Sequence, residues 1–334
     1  MKRTAQEKSQ SPLAQSHQRA ISTRTFGLAG GLFGLGILAL NLVPQLKLHA
    51  VYAAPTPVAV YGIDADTNVL NWYGHKMFHR PHSWLNAGRP REIGSGWHMI
   101  AHALGGFRGD IFAIDWRGDL FFYEHQDPTR GAKSWSSWSG VPLEQNFGRF
   151  YWPHLLEKAP RYHVFSNPSR NILYGVQADG RLLAYRFRGF DQNNRGQWDT
   201  AWIGNNFAQY TAICALGQEI LALSPLGHVD CFSHPFIVQH PTQKYRYIDI
   251  RRKVVKVSYH LIDQPNNGWY LDYESFFGLE YTLNSRHNVL YALTGNGELY
   301  RMDRPSRKSG STIQVELVGV GFDRYRSVFI SGNH

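Results

Sequence analysis

The sequence predicts an all-β protein whose main domain is a five-bladed β-propeller. Three observations lead to this fold. A two-strand hairpin occurs five times, a glycine-rich turn with an aromatic residue precedes two of these hairpins, and the last apolar run of the chain has no hairpin after it. The leading residues of successive hairpins lie 51, 62, 47 and 70 positions apart. Short strands repeated at intervals of about 50 residues are typical of propeller blades.

The five hairpins share two apolar runs joined by a tight turn. They read VYGIDADTNVLNWYGH from Val60, IFAIDWRGDLFFYEH from Ile111, LYGVQADGRLLAYRF from Leu173, ILALSPLGHVDCFSH from Ile220 and LYALTGNGELYRMDR from Leu290. Four of the turns contain a glycine: Gly118, Gly180, Gly227 and Gly297. A tight hairpin turn requires a positive φ, which glycine adopts without steric cost. The first copy has Thr67 and Asn68 there, with one extra residue.

The second repeated element is a glycine–aromatic turn that leads into an apolar run. It reads IGSGWHMIAHALGG from Ile93, IGNNFAQYTAICALG from Ile203 and VGVGFDRYRSVFISG from Val318. The first two copies continue directly into a hairpin, whereas the third ends the chain. We therefore predict that the segment ending at Ile330 is the innermost strand of the blade that begins at Val60. This arrangement closes the ring and leaves no open sheet edge.

A single β-sandwich is the alternative fold, because it also has short strands at regular turn spacing. Half-buried sandwich strands alternate between apolar and polar residues. The hairpin strands here are apolar on both faces, as in residues 120–123 and 182–185. Continuous apolar runs indicate strands covered on both sides, as the neighbouring blades of a propeller would do. The propeller is therefore favoured.

The N-terminus predicts export across a membrane. Residues 1–24 are polar and basic, and residues 25–46 form an uncharged stretch that ends before Lys47. As a helix this stretch reaches about 33 Å, enough for a hydrocarbon core of about 30 Å. Small residues up to Ala53 supply a cleavage site. Residues 25–53 are therefore a cleaved export signal, which we favour, or a single uncleaved anchor, and residues 54–334 form the exported propeller.

Much of the net charge belongs to this targeting segment. The chain has 35 Lys and Arg against 25 Asp and Glu, a formal net charge of +10. Residues 1–53 contain six basic residues and one acidic residue, so the propeller alone carries about +5. This mild charge and the predicted export argue against a nucleic-acid partner.

The two cysteines, Cys214 and Cys231, are predicted to stay unpaired. Cys214 lies in the run before the fourth hairpin and Cys231 in the second strand of that hairpin, so one strand separates them. Two strand spacings amount to about 9.6 Å, whereas a disulfide rarely joins Cα atoms more than about 7 Å apart. We expect two buried thiols even though an exported domain permits a disulfide.

Residues 56–334 resemble the tachylectin-type lectins. The resemblance rests on IGSGW, on DIFAIDWRGDLFFYEH and on a tryptophan about ten residues later. It is clear in the second, third and fifth hairpins and weak over residues 225–280. That family consists of five-bladed propellers that bind N-acetylated amino sugars between blades. The resemblance implies extracellular carbohydrate recognition without a cofactor, rather than catalysis.

Two sets of residues are candidate sugar contacts. The first set is the glycine–aromatic turns, whose backbone groups are able to bond hydroxyl or acetamido groups: Gly94, Gly96 and Trp97, then Gly204, Asn205 and Phe207, then Gly319, Gly321 and Phe322. The second set is the loops that end in Trp84, Trp135 and Trp198, because sugars bind to mixtures of aromatic rings and polar groups. For both sets a structural role is the alternative: the glycines form the turn, and the rings pack between or at the edges of blades.

Neither a metal site nor an enzyme is predicted. The run His75, His79 and His82 lies in a proline-containing loop without a nearby carboxylate or cysteine. A glycosidase needs paired carboxylates on inner strands. The segments expected there are residues 98–106, 162–169, 210–217, 279–285 and 324–332, and Glu280 is their only acidic residue. Asp64 and Asp115 occupy equivalent hairpin positions, which favours a role within the turns.

The sequence therefore predicts an exported propeller that binds glycans. Several weak sites on one ring would add avidity toward a repeating glycan. The alternative is an adaptor or scaffold propeller that binds protein and is tethered to the membrane through residues 25–46.

Overall fold

The computed structural model describes residues 57–76, 83–152, 161–225, 229–238, 247–257, 273–280, 288–303 and 315–331. These residues all lie in the second of the two units into which the chain divides, Tyr52–His334. The basic segment and the export segment, residues 1–53, lie outside the described residues. Within the described ranges, no helix is long and apolar enough to cross a membrane.

The described residues form 24 strands and six short 3₁₀ turns. The strands are β1 (Val58–Asp64), β2 (Leu70–His75), β3 (Arg91–Gly94), β4 (Ile100–Gly105), β5 (Asp110–Asp115), β6 (Asp119–Glu124), β7 (Val141–Asn146), β8 (Tyr151–Trp152), β9 (Arg161–Tyr162), β10 (Val164–Asn167), β11 (Ile172–Val176), β12 (Leu182–Phe190), β13 (Gly196–Gly204), β14 (Ala212–Leu216), β15 (Glu219–Leu223), β16 (Val229–Ser233), β17 (Ile237–Val238), β18 (Tyr247–Ile248), β19 (Val255–Val257), β20 (Tyr273–Glu280), β21 (Asn288–Thr294), β22 (Leu299–Asp303), β23 (Val315–Gly319) and β24 (Tyr325–Ser331). The 3₁₀ turns are Leu85–Gly88, Trp97–Met99, Gly148–Phe150, Pro168–Arg170, Phe207–Gln209 and Phe322–Arg324.

In the part of the chain that the structure describes, five antiparallel four-stranded sheets form a five-bladed β-propeller. From the innermost strand outwards, blade 1 contains β24, β1, β2 and β3, blade 2 contains β4 to β7, blade 3 contains β10 to β13, blade 4 contains β14, β15, β16 and β19, and blade 5 contains β20 to β23. Two short ribbons, β8–β9 and β17–β18, are added outside the blades. The predicted five-bladed propeller is confirmed.

The ring closes as the sequence predicts. Strand β24 pairs antiparallel with β1, with Ile330 opposite Val60. Two serines of β24 also hold the inner strand of blade 2: the Ser327 hydroxyl accepts from Ala103 N–H at 3.0 Å, and the Ser331 hydroxyl accepts from Gly109 N–H at 2.8 Å. The last strand therefore joins the first blade to the second.

The core is divided among the junctions between neighbouring blades, and the register of the second strand in each blade explains this division. Consecutive residues of that strand point into opposite junctions: Val60 packs between blades 5 and 1, whereas Tyr61 packs between blades 1 and 2. The same alternation holds for Ile111 and Phe112 in blade 2 and for Leu173 and Tyr174 in blade 3. Both faces of each hairpin are buried, which is why its strands are apolar throughout.

The inner strand of blade 5 corrects one sequence prediction. We expected it within residues 279–285, but β20 runs from Tyr273 to Glu280. Its register places Glu280 opposite Asn288, so the connection to β21 takes residues 281–287, which lie outside the described ranges. Because β20 also contains Glu274, the statement that Glu280 is the only acidic residue of the inner strands is wrong.

The two cysteines lie in blade 4 in the predicted strand order. Leu221 of β15 is paired with Cys214 on one side and with Cys231 on the other. Both side chains are buried, and the two cysteines do not form a disulfide bond. Burial raises the pKa of Cys214 far above its usual range, which keeps this thiol protonated and unreactive.

Candidate functional site

The same backbone hydrogen bond fixes an aromatic turn at four junctions of the described chain. The N–H of its aromatic residue donates to the hairpin turn of the preceding blade: Trp97 to Asn68 (3.1 Å), Phe147 to Gly118 (2.6 Å), Phe207 to Gly180 (2.9 Å) and Phe322 to Gly297 (3.0 Å). Each turn thereby links the outer strand of one blade to the inner strand of the next at a fixed position. The same bond therefore fixes all four turns, whereas the turn at Phe147 lacks the left-handed residue that precedes the aromatic ring in the other three.

The glycines of these turns have two separate roles. Gly96 and Gly321 adopt φ of 80° and 79°, and Asn206 takes the same left-handed conformation at φ 64°. Gly94, Gly204 and Gly319 instead make room for a ring: a Cβ on Gly94 would lie 2.8 Å from Nε1 of Trp97. The corresponding distances to Cε2 of Phe207 and of Phe322 are 2.8 and 2.7 Å. The aromatic ring therefore folds back over the outer strand.

Consequently the three aromatic candidates lie inside the junctions. The exposed fractions are 5% for Trp97, 1% for Phe207 and 3% for Phe322. The exposed part of each turn consists of backbone and of short side chains, namely Ser95 and Gly96, Asn205 and Asn206, and Val320 and Gly321. The rings position the turns, and these exposed residues are the groups a ligand would meet.

The tryptophan loops also pack into the junctions. Trp84 and Trp135 are half-buried, and each donates its Nε1–H to the outer strand of the preceding blade, to Val318 O at 2.6 Å and to Ile93 O at 2.9 Å respectively. Trp198 is half-buried against Phe187, with ring centroids 5.0 Å apart. Its buried Nε1–H has no acceptor among the described residues.

The structure brings the two predicted sets together at two junctions. Between blades 1 and 2, the ring of Trp135 lies 6.1 Å from that of Trp97, and Gly94 lies beneath both. Between blades 5 and 1, Trp84 and Phe322 both pack against Tyr73, at 6.0 and 5.2 Å. Trp198 and Phe207 lie at different junctions and do not meet.

His75, which has a metal-like spacing in the sequence, belongs to a repeated pair of tyrosine and histidine across junctions. The hydroxyls of Tyr291, Tyr61 and Tyr174 contact Nδ1 of His75, His125 and His234 at 2.6, 3.0 and 3.1 Å. In His125 and His234 the Nε2–H donates to the carbonyls of Ala132 and Ile250, so Nδ1 is the acceptor. No group of metal-binding residues occurs in the described ranges; His79 and His82 lie outside them.

Burial keeps His125 and His234 neutral. Desolvation lowers the pKa of His234 to about 4, although the Ile250 carbonyl and Asp249 act in the opposite direction. Desolvation likewise lowers the pKa of His125. A neutral imidazole is the form that can accept from a tyrosine while donating to a carbonyl.

The two equivalent hairpin aspartates hold their own turns. Asp115 Oδ1 accepts from the N–H groups of Arg117 and Asp119 at 2.9 and 2.8 Å. Asp64 Oδ1 accepts from Thr67 N–H, and its Oδ2 binds the Arg324 guanidinium. Burial alone would raise the pKa of Asp64, but these bonds outweigh it and lower the pKa to about 2.

Sequence reasoning missed one turn and two exposed rings. Phe147 was overlooked because Glu144 stands where the other turns have glycine. The aromatic pair Phe147 and Phe150 has the spacing of Phe207 and Tyr210, and this spacing was the available signal. Trp116 and Trp202 are 61% and 48% exposed, unlike the tryptophans that were chosen.

Comparison with known proteins does not identify a family for this chain. No family model and no curated protein matches the chain. Similar solved structures include a symmetrical protein described as having emerged de novo in evolution (14% identity, 82% of this chain and 98% of that chain, TM-score 0.46). They also include the β-propeller domain of Myceliophteria thermophila Cps50 (Swd1) (11%, 78% and 70%, 0.30) and human WBSCR16 (12%, 78% and 65%, 0.35).

Proposed function

We propose that this protein is an exported, lectin-like propeller that binds N-acetylated amino sugars or related glycans at the turns between its blades. The carrying observation is the backbone bond to the neighbouring hairpin, which recurs at four turns and holds three of them in the same left-handed conformation. Because similar backbone groups recur around the ring, they suit a ligand that is built from repeated units, such as a glycan. The sequence resemblance to tachylectin-type lectins supports the same conclusion.

In this proposal the turn backbone and Asn205 make the polar contacts, while Trp97, Phe207 and Phe322 hold the turns from below. A shallow site of this kind offers few contacts, so each one binds weakly. Several sites on one rigid ring raise the overall affinity for a repeating glycan without any new contact. The apolar and basic character of residues 1–53 supports export, because a basic flank is retained on the inner side.

A glycan-array experiment on the full chain tests this function. The protein is purified in a detergent without a sugar headgroup and compared with a triple variant, Ser95→Glu, Asn205→Glu and Val320→Glu, which adds charge and bulk to three turns. The matched control carries Gln126→Glu, Gln192→Glu and Gln218→Glu at exposed connections on the other ends of the strands. We expect the turn variant to lose about tenfold or more in glycan retention, because avidity multiplies the loss at each site.

The control variant is expected to retain glycans like the parent protein. Equal retention by both variants would move the sites away from the turns. Failure of the parent chain to retain any glycan would refute the lectin proposal and favour the protein-binding alternative.

A further inference from the structure

The hairpin turn of blade 2 has a large aromatic residue at a position where its four counterparts have small residues. Trp116 lies two residues before Gly118, and the corresponding residues of the other turns are small: Ala65, Ala178, Pro225 and Gly295. The backbone confirms the alignment of the first two blades, because Trp116 N–H donates to Met99 O as Ala65 N–H donates to Arg324 O. The turn itself fits a small residue, so the large ring of Trp116 has another use.

The indole of Trp116 is exposed and held in place. Its exposed fraction is 61%, the second largest among the large apolar residues of the described chain, after Val320. The Nε1–H donates to His98 O at 3.0 Å, and the backbone N–H donates to Met99 O at 3.2 Å. Since these two bonds fix the ring before a ligand arrives, little side-chain entropy is lost on binding.

Among the four described turns, the residue beside Trp116 is apolar in blade 2 alone. Met99 is 44% exposed, and its counterparts two residues after each turn aromatic are Arg149, Gln209 and Arg324. Arg324 binds Asp64, and Arg149 donates to the Tyr185 hydroxyl. Blade 2 therefore has Met99 where the other described turns have a polar residue, and Trp116 where the other hairpin turns have a small residue.

This surface has the size of one sugar ring. A stable protein interface involves roughly 20–30 residues a side, whereas the apolar surface here consists of two side chains bordered by exposed His98, Arg117 and Asp119. A pyranose with equatorial hydroxyls presents C–H groups on its face and hydroxyls at its rim. An indole face bordered by hydrogen-bonding side chains matches both parts.

We propose that Trp116, supported by Met99, stacks against the C–H face of a pyranose and makes the end of blade 2 the strongest glycan subsite of the ring. This inference rests on the proposed function. It adds the kind of sugar that binds and the residue that makes one site stronger than the others. It also breaks the equivalence of the turns, since the other described blades lack a ring at this position.

Titration calorimetry of the full chain with N,N′,N″-triacetylchitotriose tests the inference. The variants are Trp116→Ala, Trp116→Phe and, as the matched control, Trp138→Ala, which removes a tryptophan at the opposite end of the same blade. We expect Trp116→Ala to weaken binding about fivefold to tenfold and Trp116→Phe about twofold, because a smaller ring retains part of the stacking. Trp138→Ala is expected to bind like the parent protein, and thermal unfolding midpoints verify that all variants are folded.

The possible results separate the inference from the function on which it rests. Binding by the parent chain with unchanged affinity in Trp116→Ala would overturn the inference and leave the lectin function standing. An equal loss in Trp138→Ala would also overturn it, since the effect would then not be specific to the Trp116 end of blade 2. No binding by the parent chain would refute both.

Discussion

Two neighbouring junctions have different side chains at equivalent buried positions. They are the junction between blades 1 and 2 and the junction between blades 2 and 3. The first contains the hydrogen-bonded pair Tyr61 and His125. The second has Phe112 and Phe187 at the equivalent positions, with ring centroids 5.5 Å apart in an edge-to-face arrangement. The equivalence is visible in the backbone, because the N–H groups of His125 and Phe187 donate to the residue just before the second strand of their blade, Gly109 and Asn171.

This difference shows that both members of the pair have to change together. A tyrosine opposite phenylalanine would bury a hydroxyl without a partner, which costs about 1–3 kcal/mol. A fully polar pair and a fully apolar pair both avoid this cost. The junction between blades 2 and 3 also contains a polar link of its own, in which the Asn171 side-chain amide donates to Asp110 Oδ2 at 2.6 Å.

The largest expected effect is the response of a polar junction to acid. The folded pKa of His234 is about 4, whereas its ordinary value is 6.5. Because the unfolded chain binds the proton more tightly, the stability from this neutral histidine is complete above pH 6.5 and is lost as the pH falls toward 4. The loss amounts to roughly 3 kcal/mol in the free energy of unfolding.

A double variant, Tyr174→Phe with His234→Phe, isolates this effect because it copies the apolar pair of the neighbouring junction. Urea unfolding at pH 7, 6, 5 and 4 measures the difference between the parent and the variant. We expect the parent to lose stability relative to the variant at each step below pH 6.5. Parallel curves for the two proteins would show that His234 is not buried as a neutral partner of Tyr174.

The next effect is the coupling within one polar pair. Tyr61→Phe and His125→Phe are each expected to cost about 2 kcal/mol, because each leaves a buried polar group without its partner. The double variant is expected to cost about 1–2 kcal/mol less than the sum of the two single variants. Chemical unfolding at pH 7.5 measures all four proteins, and strict additivity would mean that the hydrogen bond does not couple the blades.

The sequence was sufficient to predict the fold because the same apolar hairpin pattern recurs in each blade. Adjacent residues such as Val60 and Tyr61 point into different junctions, so burial on both faces appears directly as an apolar run. The closure by β24 was predictable because the chain ends on a strand without a hairpin. The start of β20 was not predictable. It depends on the pairing of β20 with β21, in which Glu280 lies opposite Asn288, eight residues later in the chain.

The candidate site was only partly predictable, because exposure depends on neighbouring strands. Nothing in the sequence around Trp97 indicates that its ring lies over Gly94 and beside Trp135. In contrast, the large residue at position 116 stands out from the small residues of the other turns without any structure. Comparing copies position by position would have selected Trp116 in place of the buried rings.

A smaller effect is expected at the polar link between blades 2 and 3, with the opposite pH dependence to His234. Burial raises the pKa of Asp110 to about 7; the bond from Asn171 opposes this shift and Glu124 adds to it. Since the folded state binds the proton more tightly, stability from Asp110 is complete below pH 4 and is lost as the pH rises through 7.

Asp110→Asn tests this sign. An asparagine still accepts from Asn171 and carries no charge, so the variant is expected to be more stable than the parent by roughly 1–2 kcal/mol at pH 8. The gain should vanish at pH 4. Asp66→Asn, which makes the same substitution at an exposed aspartate in the first hairpin turn, is the matched control. A variant less stable than the parent at pH 8 would contradict the prediction.

The smallest effect distinguishes the two loop tryptophans. Trp135 donates its Nε1–H to Ile93 O, whereas the buried Nε1–H of Trp198 has no acceptor among the described residues. Replacement by phenylalanine removes the N–H in both cases. We therefore expect Trp135→Phe to cost about 1 kcal/mol more than Trp198→Phe, because only Trp135→Phe also leaves a carbonyl without its donor. Chemical unfolding of both variants at pH 7.5 gives the difference directly, and an equal cost would indicate that the Trp198 N–H has a partner in solution, such as a bound water.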